Sequence, residues 1–123
     1  MTPLVLVVDD ESVTRRLVAY TLKTLGIEVI GAADGYEALA IAKEQVFNLA
    51  IVDIGLPDMD GFELIRQLKA DDKNANIPII TFTARNEPQD EAVAFELGAV
   101  GFLYKPFSTQ ELREIVTRHL QME

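Results

Sequence analysis

Apolar and polar positions follow two rhythms along this chain. Unbroken apolar runs recur at "LVLVV" (4–8), "LAIVD" (49–53) and "IPIITFT" (77–83). Such runs suit strands buried on both faces, as in a parallel sheet. "IEVI" (27–30) and "GFLYK" (101–105) read as shorter strands. Between them the spacing turns helical. Residues 12–25 set Val13, Leu17, Tyr20, Leu22 and Leu25 roughly along one face, and Gly26 follows as the left-handed stop. Asp34-Gly-Tyr-Glu37 is a capping box opening a helix through Ala38, Ala42 and Val46. "GLPDMDG" (55–61) is a turn, and a helix follows to about Ala70. Residues 88–97 read as helix, with Pro88 in the first turn and Gly98 as the stop. Ser108-Thr-Gln-Glu111 is a second capping box, opening the last helix.

Strand followed by helix, five times, predicts an α/β fold: a five-stranded parallel sheet with right-handed crossovers and five helices. The length, 123 residues, suits one domain over 1–123, and the chain stops soon after the fifth helix. Composition removes whole classes of chemistry. There is no Cys, so disulfides, thiolate zinc sites and Cys nucleophiles are excluded. His119 is the only His, which excludes metal sites built from several His ligands. A net charge of -9 makes a poor unaided partner for nucleic acid and argues against a polybasic membrane anchor. The longest aliphatic run, 4–8, is far too short to span a bilayer, and no signal-like segment precedes it. A cytoplasmic location is the expectation.

Ligands of an open parallel sheet bind outside the carboxyl ends of its strands. Those ends carry Asp9 and Asp10, Asp53, Thr83 and Lys105. Two adjacent carboxylates repel and raise each other's pKa unless a cation relieves them. Oxygen donors without sulfur suit a hard cation, Mg²⁺ first and Mn²⁺ as a substitute. Lys105 and Thr83 then serve an anion beside the metal, as point charge and hydrogen-bond donor. The set reads as a phosphoryl-transfer site. "DMDG" (58–61) is no calcium loop: alignment on Gly61 puts Leu56 and Gln67 where acidic ligands belong. Asp58 and Asp60 are expected to cap.

"VVDDE" (7–11), "IVDIGLPDMDG" (51–61), "TFTA" (81–84) and "GFLYKPF" (101–107), in that order, make the chain resemble the receiver domain of two-component response regulators over nearly its full length. The resemblance implies a doubly wound sheet of flavodoxin-like order 2-1-3-4-5 and a cis Lys105-Pro106 bond. It implies Asp53 as phosphoacceptor, Mg²⁺ held by Asp10, Asp53 and the Gly55 backbone carbonyl, and Asp9 acting through water. It further implies that Lys105 contacts the phosphoryl group, that Thr83 bonds to it after transfer, and that Phe102 is the switch aromatic. Gly55 and Arg85 would border the phosphoryl group and tune its lifetime, Arg85 by folding over it. The implied partners are a histidine kinase or phosphotransfer protein and a protein target or tethered output domain. Two other functions compete. An aspartate-nucleophile phosphohydrolase needs a second Asp two residues after the nucleophile, where this chain has Gly55. A phosphate-independent scaffold needs none of the five strand-end residues. "GAVGF" (98–102) lacks the acidic residues common there in winged-helix transcription-factor receivers, which points away from that subclass.

Overall fold

A computed structural model describes residues 2–85 and 87–120. Its elements are β1 (Leu4–Val8), α1 (Ser12–Lys23), β2 (Glu28–Ala32), α2 (Gly35–Glu44), β3 (Leu49–Asp53), α3 (Gly61–Ala70), β4 (Ile79–Thr83), α4 (Pro88–Glu96), β5 (Gly101–Tyr104) and α5 (Thr109–Leu120). The strands form one parallel sheet in the order β2-β1-β3-β4-β5.

Each strand feeds two cores, because successive side chains leave opposite faces. Leu6, Val8, Ala50, Val52 and Ile79 pack with Ala38, Ala42, Leu64, Ile65, Leu68 and Ala94 of α2, α3 and α4. Val5, Val7, Leu49, Ile51, Ile80 and Phe82 pack with Val18, Leu22, Leu112 and Val116 of α1 and α5. The sheet is thus covered on both faces, which explains the unbroken apolar runs.

Local signals placed several helix ends correctly. Ser108 and Glu111 exchange side-chain-to-backbone bonds at 3.0 Å each, a complete capping box. Asp34 accepts from the Glu37 N–H at 2.8 Å, but Glu37 returns its bond to Ala33 rather than to Asp34. Gly26 and Gly98 have φ of 76° and 104°, the left-handed turn expected after α1 and α4.

Several boundaries differ from expectation. α1 ends at Lys23, and Ile27 closes its C-terminal turn with an N–H to the Leu22 carbonyl, so β2 begins only at Glu28. α2 stops at Glu44, not at Val46, which is 60% exposed. The cause is a buried amide: Asn74 donates to the carbonyls of Ala42 and Gln45 and accepts from the Phe47 N–H, turning the chain out of the helix. β4 begins at Ile79, after Pro78, and β5 ends at Tyr104, leaving Lys105 just past the strand. The buried face of α1 is also corrected. Of the expected face, Val13, Leu17 and Tyr20 are 74%, 40% and 73% exposed; Leu22 is buried and Leu25 packs on the core as expected, and Val18 and Thr21 complete the face toward the sheet. The helix carries two apolar stripes about 100° apart, and only one can face the core.

Candidate functional site

Parallel register lines up the strand ends. Val8 pairs with Val52, so Asp9 and Asp53 leave the sheet side by side. Asp53 pairs with Phe82, and Thr83 with Tyr104, so Thr83 and Lys105 each lie one step further along. Asp9, Asp10 and Asp53 bring one carboxylate oxygen each within 4.8 Å of one another. Asp9 and Asp53 are buried and Asp10 is exposed.

Lys105 is the cation inside this cluster. Its Nζ donates to Asp9 Oδ2 at 2.6 Å, to Asp53 Oδ2 at 2.9 Å and to Glu11 Oε1 at 3.3 Å. It also lies 4.8 Å from the centre of the Phe82 ring. The Lys105-Pro106 bond is cis, and the Lys105 N–H is held by the Thr83 carbonyl. Burial pulls the ammonium toward neutrality, but the bonds and charges of Asp9 and Asp53 outweigh it and hold its pKa above the ordinary 10.5. Asp9 goes the other way: burial pushes its carboxyl above the usual carboxylate value, and Lys105 and the Glu11 N–H offset only part of that. One lysine does not neutralise this edge.

Backbone geometry orients the other groups. Asp53 Oδ1 accepts from the Gly55 N–H at 2.8 Å, which curls the loop back over the carboxylate. Gly55 is exposed and has open space where a side chain would sit, apart from Asp53 Oδ1 at 3.6 Å. Thr83 is buried, and its Oγ accepts from the Arg85 N–H at 2.9 Å. Phe102 is half-buried, its ring 5.1 Å from that of Tyr104, whose hydroxyl donates to Glu91. Arg85, expected to border the phosphoryl group, is held at Asp90 in this structure. Its guanidinium makes a two-point bond to Asp90, at 3.1 and 3.2 Å. Asp90 is buried in the first turn of α4, where a carboxylate also meets the positive end of the helix.

Sequence reasoning missed the roles of Gly61 and Asp90 and the place that Asp58 caps. A side chain at Gly61 would lie 2.4 Å from Ile54 Cα and 2.5 Å from the Asp53 carbonyl oxygen, so nothing larger fits under the loop. Asp58 caps α2 across space rather than its own helix. Gly61 and Asp58 both stood inside "DMDG", a stretch already marked as a turn, and Asp58 was expected to cap; its target on α2 was not legible.

The donor set fits a hard divalent cation. It is all oxygen, three carboxylates converge in it, and the exposed Gly55 backbone borders it. Among the described residues, no helix is long and apolar enough to cross a membrane.

Comparison with known proteins agrees with this geometry. The sequence profile of the response regulator receiver domain matches residues 5–117. The probable transcriptional regulator ycf27 of Porphyridium aerugineum is 41% identical over 108 residues, covering 88% of this chain and 44% of that protein. The chain thus spans less than half the length of this relative. The structure of the Vibrio cholerae chemotaxis protein CheY4 is 35% identical with a TM-score of 0.91, covering 97% of this chain and 99% of that one. The receiver domain of the sensor histidine kinase PA1611 from Pseudomonas aeruginosa PAO1, solved with a magnesium ion coordinated in its active-site cleft, is 30% identical with a TM-score of 0.88, covering 98% of this chain and 99% of that one. Ordered acidic strand ends, the 2-1-3-4-5 sheet and these matches lead to one conclusion: the chain belongs to the response regulator receiver domain family, the phosphorylation-dependent switch modules of two-component signalling.

Proposed function

We propose that Asp53 accepts a phosphoryl group from a phosphohistidine on a histidine kinase or phosphotransfer protein. The observation that carries this is the position of Asp53, a buried carboxylate clamped between the Gly55 N–H and Lys105 in a cluster with Asp9 and Asp10. An Asp53 oxygen attacks phosphorus, the P–N bond breaks, and its electron pair returns to the imidazole, which takes up a proton. Asp10, Asp53 and the Gly55 carbonyl would hold Mg²⁺ directly and Asp9 through water, and the bound ion would supply positive charge beside the transferring oxygens. Lys105 moves from the Asp53 carboxylate to the phosphoryl oxygens. Thr83 gives up the Arg85 N–H and donates its own hydrogen to the phosphoryl group. Phe102, which lies opposite Thr81 on the paired strand, two residues short of the partner of Thr83, turns into the space released. The acyl phosphate adds up to about two negative charges at one point, enough to bias a two-state element.

The chain is then a phosphoacceptor that assists its own phosphorylation and dephosphorylation, not a turnover enzyme. Gly55 supplies no general acid, which counts against a phosphohydrolase acting on free substrates. The relatives named as transcriptional regulators extend well beyond the matched region. Their names support a tethered output that acts in transcription.

Phosphorylation of the purified chain by a small-molecule phosphodonor with Mg²⁺ tests the reading. Asp53→Asn is expected to take up no label while its circular dichroism stays that of the wild type. Stoichiometric labelling of the folded Asp53→Asn protein would refute the assignment.

A further inference from the structure

The loop that follows Asp53 is fastened at its base and at its crest. At the base, the Gly55 N–H donates to Asp53 Oδ1 at 2.8 Å and the Gly61 N–H to the Ile54 carbonyl at 3.2 Å. At the crest, Asp58 Oδ1 accepts from the Gly35 N–H and Asp58 Oδ2 from the Tyr36 N–H, both at 2.9 Å. These N–H groups open α2 and have no partner within the helix. The next residue repeats the contact: a side chain on Gly35 would lie 2.5 Å from Met59 Cγ, so the loop sits directly on the helix start. α2 already has its own cap in Asp34, which takes the Glu37 N–H. The bonds to Asp58 therefore join two elements rather than merely finish one. Both are charge-assisted, and the helix dipole favours a carboxylate at this end. Between the base and the crest, Gly55 has no side chain and Pro57 no N–H with which to hold the loop.

We propose that Asp58 is a positioning residue for the divalent cation, holding the loop so that the Gly55 carbonyl faces the acidic edge. The inference rests on the reading of that carbonyl, Asp10 and Asp53 as metal ligands. Asp58 lies outside the carboxylate cluster and acts through the loop. Partners that orient metal ligands carry about a tenfold or larger share of affinity.

Calorimetric titration of the full chain with Mg²⁺ alone, well below each variant's melting temperature, tests this. Asp58→Ala is expected to weaken Mg²⁺ binding about tenfold. Asp58→Asn, which keeps one carbonyl acceptor, is expected to fall between it and the wild type, and it carries the test if Asp58→Ala does not fold. Asp34→Ala removes the helix's own cap, so it should lower the melting temperature and leave Mg²⁺ affinity unchanged. Wild-type affinity in the Asp58 variants, or an equal loss in Asp34→Ala, overturns the proposal. Asp10→Asn separates the two levels. If it loses Mg²⁺ while the Asp58 variants keep it, only the role of Asp58 falls; if it too binds like wild type, the metal reading falls and takes this inference with it.

Discussion

The residues most legible in the sequence were those whose meaning depends on position alone. Asp9, Asp10, Asp53 and Thr83 stand at the ends of apolar runs, and Lys105 stands at the end of "GFLYK", so a parallel sheet collects them without further information. Residues whose meaning depends on a distant partner were not legible. Asp90 looks like any acidic residue in a first helical turn until Arg85 is seen to fork onto it. That pair changes the expectation for Arg85. In this conformation its guanidinium is occupied at Asp90, and its backbone N–H occupies the Thr83 hydroxyl. To cover a phosphoryl group it must leave Asp90. The Arg85 side chain is 43% exposed, but Asp90 is buried and the bond is two-point, so the pair is stronger than an exposed one and only a more highly charged group, such as a phosphoryl group, competes with it. Arg85→Ala should therefore lose phosphate a few-fold faster than wild type, and Asp90→Asn, which frees the guanidinium, should hold it longer. The decay of labelled protein in excess Mg²⁺ with no partner present measures both. Equal lifetimes in all three proteins would make the Arg85–Asp90 pair a structural tie only.

At the scale of elements, the starts of α2 and α5 were readable because a capping side chain and its backbone target lie three residues apart. Helix ends and faces were less so. α2 is ended by Asn74, about thirty residues further along the chain, which no local pattern shows. α1 was misread because its two apolar stripes are equally regular, and the choice between them is made by the sheet. The stripe left over has a consequence. Val13, Leu17 and Tyr20 are exposed on the helix that leaves the Asp9–Asp10 edge, and Leu17 shares a shallow recess with Lys105, Pro106 and Phe107. A phosphodonor protein must bring phosphorus within reach of Asp53, so it covers this rim. Tyr20→Ala and Leu17→Asp should slow phosphorylation by a cognate donor protein about tenfold or more, the effect of losing a buried apolar anchor. The same variants should accept phosphate from a small-molecule donor at the wild-type rate, because the strand-end chemistry is untouched. Slowing with both donors would place the defect in the site, and slowing with neither would remove α1 from the donor's footprint.

Across the whole molecule, sheet order and site electrostatics are one problem. The 2-1-3-4-5 order sets β1 against β3, and their register forces Asp9 and Asp53 together with Asp10 beside them. The fold therefore concentrates negative charge at one edge of a chain whose net charge is already -9. Lys105 relieves part of it, but the carboxyl of Asp9 stays above its usual value because burial outweighs its partners. The edge is thus a standing cost to the native state that the unfolded chain does not bear, and a cation bound only by the native state removes it. At a hundredfold excess over its dissociation constant, such a ligand stabilises by about 2.7 kcal/mol. Each kcal/mol raises the melting temperature of a domain this size by about 4 °C. Melting with Mg²⁺ should accordingly occur several degrees above melting with chelator at equal ionic strength. Asp10→Asn should melt higher than wild type in chelator, since it removes one of the repelling charges, and gain less from Mg²⁺, since it removes a ligand. A wild type indifferent to Mg²⁺, or an Asp10→Asn protein with the full wild-type gain, would show that these carboxylates do not hold the metal.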